Sequence, residues 1–181
     1  MTLYLHQARE LLRMSRKINA KSKGNRAERE LAKLFKQWWG SDFARTPSSG
    51  GFHTKRFRSD WNAEADIVTT DTKFPFAVEC KWQENWFLEQ LLKSSKALPW
   101  KWWKQACYQA GEDKTPLLVF KRSRHPWYYM LPVSCADRLL ESYLYMQHVV
   151  EDKHVCIGLL EDLFKTDPEM WWVLDDHVPN D

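Results

Sequence analysis

No stretch of the 181 residues comes near the roughly 18 uncharged apolar residues that a membrane span requires. The start, MTLYLHQARELLRMSRK, has neither the apolar run nor the small-residue cleavage site of a secretory signal. A soluble, cytoplasmic protein without a membrane partner is the expectation. The cysteines, Cys80, Cys107, Cys135 and Cys156, include no CxxC and no close pair. That spacing argues against a zinc ribbon and, in an intracellular chain of this size, against a disulfide framework. Internal repeats and low-complexity segments are also missing, which leaves one domain with a C-terminal extension. What the chain has is 44% hydrophobic residues against 28% charged ones. Over this length that can bury a core, and it excludes long disorder or a coiled-coil rod. Eleven Trp, with doublets at Trp38-Trp39, Trp102-Trp103 and Trp171-Trp172, read mostly as core or interface packing.

The formal net charge of +3 conceals a gradient. Residues 1–60 carry 14 Lys and Arg against 5 Asp and Glu, residues 61–133 carry 10 against 8, and residues 134–181 carry 3 against 11. A basic N-terminal third suits a polyanionic partner, because neutralising phosphates releases condensed counterions. The alternative is a solvated basic face balanced by the acidic tail. The tail itself reads either as a cap folded on the body or as a nucleic-acid mimic.

From Arg26 to Trp39 the apolar positions Ala27, Leu31, Leu34, Phe35 and Trp38 have the spacing of a helix with one buried stripe, and Gly40 ends it. Glu28 and Glu30 flank the stripe on opposite edges, roughly 75–85° from its centre on an ideal helix, so either carboxylate could lean into a cleft. The turn residues ArgThrProSerSerGlyGlyPhe at 45–52 predict a flexible loop. Ala65–Thr70 and Phe74–Trp82 predict strands of an antiparallel hairpin. Helices are expected over Asn85–Ser95 and Trp100–Ala110, separated by Pro99, and a second hairpin over Pro116–Lys121 and Trp127–Leu131. A helix is expected over Ala136–Met146. The order fits an α/β or α+β fold.

Chemistry concentrates in the first hairpin. Asp66 opens one strand, and Glu79-Cys80-Lys81 lies in its partner with Glu79 and Lys81 on the same face. Paired in register, two carboxylates and an ammonium converge. Hard Mg²⁺ takes oxygen ligands and keeps waters, so two carboxylates and a backbone carbonyl suffice. A metal-activated water and a cation beside growing phosphoryl charge are the needs of phosphodiester hydrolysis. The alternative is an ion-paired strand surface, which charges set inside the apolar runs Ile67-Val68 and Phe76-Ala77-Val78 make less natural.

LysGlyAsnArgAlaGluArgGlu at 23–30, ArgThrProSerSerGlyGly at 45–51, AlaAspIleVal at 65–68 and ValGluCysLys at 78–81 together resemble the PD-(D/E)XK nuclease superfamily. Within it they resemble the archaeal-type and phage Holliday-junction resolvases. Gly24 and Glu28-Arg29-Glu30 match the helix that opens those resolvases; Ala65 stands where many members have proline. The resemblance implies a restriction-endonuclease-like fold, a central mixed β-sheet flanked by helices. The nuclease core it implies is taken over 24–133; the charge gradient adds a basic N-terminal helix or arm over 1–23 and an acidic extension over 134–181 packed on the core, which the resolvase pattern does not explain. The resemblance implies Asp66, Glu79, the Cys80 backbone carbonyl and Glu28 at a Mg²⁺ that Mn²⁺ can replace, Lys81 as the water-orienting or charge-stabilising lysine, and Ser48 or Ser49 as the loop serine at the scissile backbone. The partner implied is branched DNA, the assembly a homodimer, and the origin prokaryotic or phage. Nuclease action on linear DNA and a non-cutting DNA-binding module are the alternatives.

Phosphate contacts are expected from Lys23, Arg26, Arg45, Lys55, Arg56 and Arg58, and from Lys121, Arg122 and Arg124 in the second hairpin turn. Gln105 and Gln109 could face the cleft but read better as solvated helix positions. The same holds for a wedge role of Trp82, Trp86, Trp100, Trp102 or Trp103, which read better as core. His148, His154 and Cys156 lack a fourth ligand for a soft metal.

Overall fold

In the computed structural model the backbone is described for residues 2–46, 65–139, 144–148 and 153–175, and side chains for 21–46, 65–139 and 154–172. Helix α1 (Thr2–Trp39) is followed by strands β1 (Phe43–Arg45), β2 (Ile67–Thr69) and β3 (Phe76–Trp82), the short α2 (Gln90–Lys93), α3 (Leu98–Ala110), β4 (Thr115–Lys121) and β5 (Tyr128–Pro132). A 3₁₀ turn (Val133–Arg138) leads to β6 (Leu144–His148), β7 (Lys153–Leu159), α4 (Leu160–Leu163) and a last 3₁₀ segment (Pro168–Asp175). The strands form one seven-stranded mixed sheet in the order β1-β2-β3-β4-β5-β7-β6. Helices lie on both faces, the α/β architecture expected of a restriction-endonuclease-like domain.

The sheet is antiparallel except where β3 and β4 run parallel, and such a pair needs a crossover, which α3 supplies. β4 is apolar throughout its centre because both faces are covered. Leu117 and Val119 face the core beneath α1, whereas Leu118 and Phe120 face the core beneath α3. The α1 stripe is as the periodicity predicts: Ala27, Leu31 and Phe35 have no exposed surface, and Leu34 and Trp38 pack partly buried against them. Gly40 closes the helix at φ 84° with its N–H on the Lys36 carbonyl at 3.0 Å, a left-handed cap that glycine adopts without strain. Trp86, Trp100, Trp102 and Trp103 are core residues of the α3 side.

Three expectations are corrected. The helix expected over 136–146 is instead the 3₁₀ turn followed by β6. The helix expected over 85–95 shrinks to Gln90–Lys93, because Trp86 turns inward to the core and its indole donates to the Gln83 carbonyl at 2.9 Å. Pro99 sits in the first turn of α3 rather than between two helices, where its missing N–H costs nothing. The sheet also continues past residue 133, since β7 pairs with β5 and β6 with β7.

Gly158 of β7 lies opposite Tyr129 of β5, whose ring covers it so closely that a β-carbon there would stand 2.7 Å from ring atoms. Gly158→Val is expected to cost about 1–3 kcal/mol through overpacking, read as a lowered midpoint in urea, whereas unchanged stability would mean that the ring moves aside freely.

Candidate active site

The site begins where β2 and β3 part. They pair at Ile67 and Val78, the Asp66 N–H donates to the Val78 carbonyl at 2.9 Å, and the Asp66 carbonyl accepts from Thr46 N–H at 2.9 Å. By that register the Cys80 N–H would next seek the Ala65 carbonyl, but that oxygen is taken by the Thr46 hydroxyl. The Asp66 carboxylate replaces it, its Oδ2 accepting from Cys80 N–H at 2.8 Å. The backbone thus fixes the Asp66 side chain over β3. A strand residue turns its N–H and C=O to the same edge, so the Cys80 carbonyl faces Asp66 as well.

Glu79 and Lys81 project from the opposite face, towards α3. Ala65, Ala77 and Ala110 make a small-residue contact that brings α3 close. Glu79 has no exposed surface, and the Lys81 ammonium is its ion-pair partner. Neither carboxylate oxygen is otherwise capped by a well-formed hydrogen bond. Burial, and then the nearby Asp66 carboxylate, push the Glu79 carboxyl up to about 7, against the opposing pull of Lys81 and the Gln109 amide. Gln109 is therefore part of the site, not the solvated position expected, while Gln105 is exposed as expected. A polar residue at the edge of the buried face of α3 was the available signal.

Glu28 reaches the site from α1. Its Oε2 accepts from Arg45 of β1 at 3.2 Å, and the same guanidinium holds Asn25 Oδ1 at 3.2 Å. Burial raises its carboxyl, the Arg45 hydrogen bond opposes this, and the Asp66 charge adds to the rise. Asp66 thus lies within electrostatic reach of both Glu28 and Glu79. Glu30, on the other edge of the helix, goes elsewhere: its Oε1 accepts from Lys121 Nζ at 2.7 Å and Trp127 Nε1 at 2.8 Å. Burial works to raise it, but those two donors outweigh burial and hold it below its ordinary value.

Of the expected phosphate contacts, Arg26 and Arg124 are exposed, and Lys23 is half-buried in an ion pair with Glu84. Arg45 is half-buried on Glu28. Arg122 stacks on Phe87 with 4.6 Å to the ring centre. Lys121, expected as a phosphate contact, has its ammonium buried against Glu30 and two indoles instead of facing outward from the turn. Ser48, Ser49, Lys55, Arg56 and Arg58 lie outside the described residues. Burial pushes the Cys80 thiol well up and the Cys156 thiol up to about 11. The His148 side chain also lies outside the described residues.

No three side chains of His, Cys, Asp and Glu among the described residues converge tightly enough to enclose an ion by themselves. The donor set still fits a hard divalent cation. Asp66 keeps an oxygen beyond its Cys80 bond, Glu79 is buried and uncapped, and the Cys80 carbonyl turns the same way. Such a cation completes its shell with water.

A family model described as "Phage putative PDDEXK endonuclease" matches residues 19–171. The chain belongs to this family. Protein D14 of Escherichia phage T5 is 24% identical over 153 residues, covering 80% of this chain and 91% of that one. No solved structure matches. As a PDDEXK nuclease the chain is of a kind that generally uses divalent metals and takes DNA as substrate. The matched range includes β6 and β7. Among the described residues, no helix of this nuclease is long and apolar enough to cross a membrane.

Because Glu79 keeps its proton up to about pH 7, binding a cation there must displace that proton. Calorimetric Mg²⁺ titrations in buffers of different ionisation enthalpy should show close to one proton released near pH 6 and almost none near pH 8, with affinity rising across that interval. A release that does not change with pH would remove Glu79 from the metal site.

Proposed function

We propose that the protein is a Mg²⁺-dependent endodeoxyribonuclease that cuts branched DNA in recombination or replication, as a homodimer with one site for each side of a junction. The observation carrying the nuclease chemistry is the buried Glu79–Lys81 pair beside a backbone-anchored Asp66. The branched substrate rests on the resolvase-like order of helix, loop and strands, with Glu28 of α1 reaching the same place.

In this reading Asp66, Glu79 and the Cys80 carbonyl hold the cation, with Glu28 closing the site from the helix side. The bound cation, Mg²⁺ with Mn²⁺ as substitute, supplies charge neutralisation and a more nucleophilic water. Lys81 stays fixed by its ion pair, so its ammonium is placed in advance where charge grows on a phosphoryl oxygen. Glu79 must be ionised to serve, and burial with the Asp66 charge opposes that, so the cation has to displace a proton wherever Glu79 still carries one. Arg45 holds Glu28 at the site, and Ser48 or Ser49 would meet the backbone at the cut. Arg26, Arg122 and Arg124, with Lys55, Arg56 and Arg58, supply the phosphate contacts that position without reading sequence.

The deciding experiment compares a labelled four-way junction with linear duplex and single strand of the same sequence, in Mg²⁺ and in EDTA. Symmetric, metal-dependent cuts on the junction, lost in Glu79→Ala, are expected. Equal cutting of linear DNA would replace the resolvase reading with a general or restriction-type nuclease, and binding without cutting would leave a DNA-binding module.

Lys81→Met should lower the cleavage rate about 100-fold or more while junction affinity in EDTA changes by less than about threefold. An equal loss in both would make Lys81 a substrate-binding residue only.

A further inference from the structure

Glu28 and Glu30 leave opposite edges of the same apolar stripe. Beneath them Ala27, Leu31 and Phe35 pack on the sheet, and apolar packing is non-directional. It sets the roll of the helix about its own axis only coarsely. Directional contacts refine it: Lys23 on Glu84 before the stripe, the Trp38 and Trp39 indoles on the Thr166 carbonyl and on Asp71 at its far end, and, level with the site, Glu28 on Arg45 of β1 on one side and Glu30 on Lys121 of β4 on the other.

The last of these is built as a clamp. The Lys121 ammonium stands 4.1 Å from the ring centre of Trp82 and 4.1 Å from that of Trp127. Those two indoles meet edge to face at 6.3 Å. Glu30 Oε1 closes the cage by accepting from both Lys121 and the Trp127 indole. Trp82 directly follows Lys81 in β3 and is the register partner of Lys121, and Gln83 N–H donates to the Lys121 carbonyl at 3.1 Å. The clamp therefore joins α1 to the end of the strand that carries Glu79 and Lys81. An apolar plug of the same volume would stabilise such a place as well or better, so the cost of burying a charge there points to orientation.

We propose that Glu30 is a positioning residue, which acts through the Lys121–Trp82–Trp127 cage to set the roll of α1 and so place Glu28 at the metal site. The proposal rests on the reading of Glu28 as an acid of the nuclease site. A roll of about 10° moves a carboxylate carried roughly 6 Å from the helix axis by about 1 Å, and a misplacement of that size costs on the order of 100-fold in rate.

A double-mutant cycle separates positioning from plain stability. Glu30→Gln keeps the shape and the acceptor for Trp127; Lys121→Met keeps the stem between the rings and removes the charge. Each is expected to slow Mg²⁺-dependent cleavage 10- to 100-fold at a temperature where circular dichroism shows it fully folded. In a Glu28→Ala background, Glu30→Gln should cause no further loss. The same factor in both backgrounds, or no loss in the folded single variants, overturns the proposal. Should Glu30→Gln not fold, Lys121→Met carries the cycle. Mn²⁺ affinity, measured by calorimetry without DNA, gives the second readout: Glu30→Gln should weaken it in the wild-type background and leave it unchanged in Glu28→Ala. A wild type that binds Mn²⁺ but cuts nothing overturns the nuclease reading alone, with the cycle then decided on affinity. A wild type that binds no Mn²⁺ overturns both.

Discussion

A carboxylate without exposed surface, set in the middle of a core strand, is the constraint around which this molecule is arranged. An unpaired charge at Glu79 would cost several kcal/mol, and the fold meets that cost with an ammonium two residues along, a Gln from the crossover helix, and a proton retained up to about pH 7. The second of these also fixes something else. The approach of Gln109 needs the close Ala65–Ala77–Ala110 contact, which in turn sets how α3 crosses back to β4. The parallel β3–β4 pair is thus the frame that makes the buried acid tolerable.

Asp66 solves the complementary problem at the strand's other edge. β2 is three residues long and diverges from β3 after a single register pair, so the Cys80 N–H would be left without an acceptor. A carboxylate oxygen supplies one. The bond satisfies the backbone and at the same time anchors an acid beside Glu79, which raises the Glu79 carboxyl further. Structural need and chemical use coincide in that one contact, and a neutral side chain at 66 would weaken both.

Much of this was legible in the sequence because it follows from period. Alternation in β3 placed Glu79 and Lys81 on one face, and the three-to-four spacing from Ala27 to Trp38 gave the buried stripe and put Glu28 and Glu30 on its two edges. Which edge faced the acids was not legible, since that depends on the side of α1 on which β1 lies, and β1 is three residues long, too short to show a period. The 136–146 segment misled because its apolar positions satisfy a helix template as well as a strand one, and only pairing with β7 decides between them. Lys121 misled for another reason. Charge beside a hairpin turn suits a phosphate contact, and nothing in the local sequence tells that Glu30, 91 residues away, comes to meet it.

The acidic C-terminal third permits a choice between the two roles its charge suggests. A segment acting as a releasable mimic of nucleic acid must leave the body at small cost. Here β7 pairs along its length with β5, Val155 and Ile157 belong to the core beneath α3, and Trp171 belongs to the core beneath α1. Trp171 is fully buried, lies edge-on to Phe76 at 5.1 Å, and donates to the Thr166 hydroxyl at 2.8 Å. The neighbouring Thr166 carbonyl accepts from the Trp38 indole of α1 at 2.9 Å. Exposing a buried Trp alone forfeits about 3–5 kcal/mol, a large part of the stability of a domain. Peeling the segment away would open both cores at once. Among the described residues β7 is therefore a structural part of the sheet, and the segment around Trp171 is part of the core beneath α1.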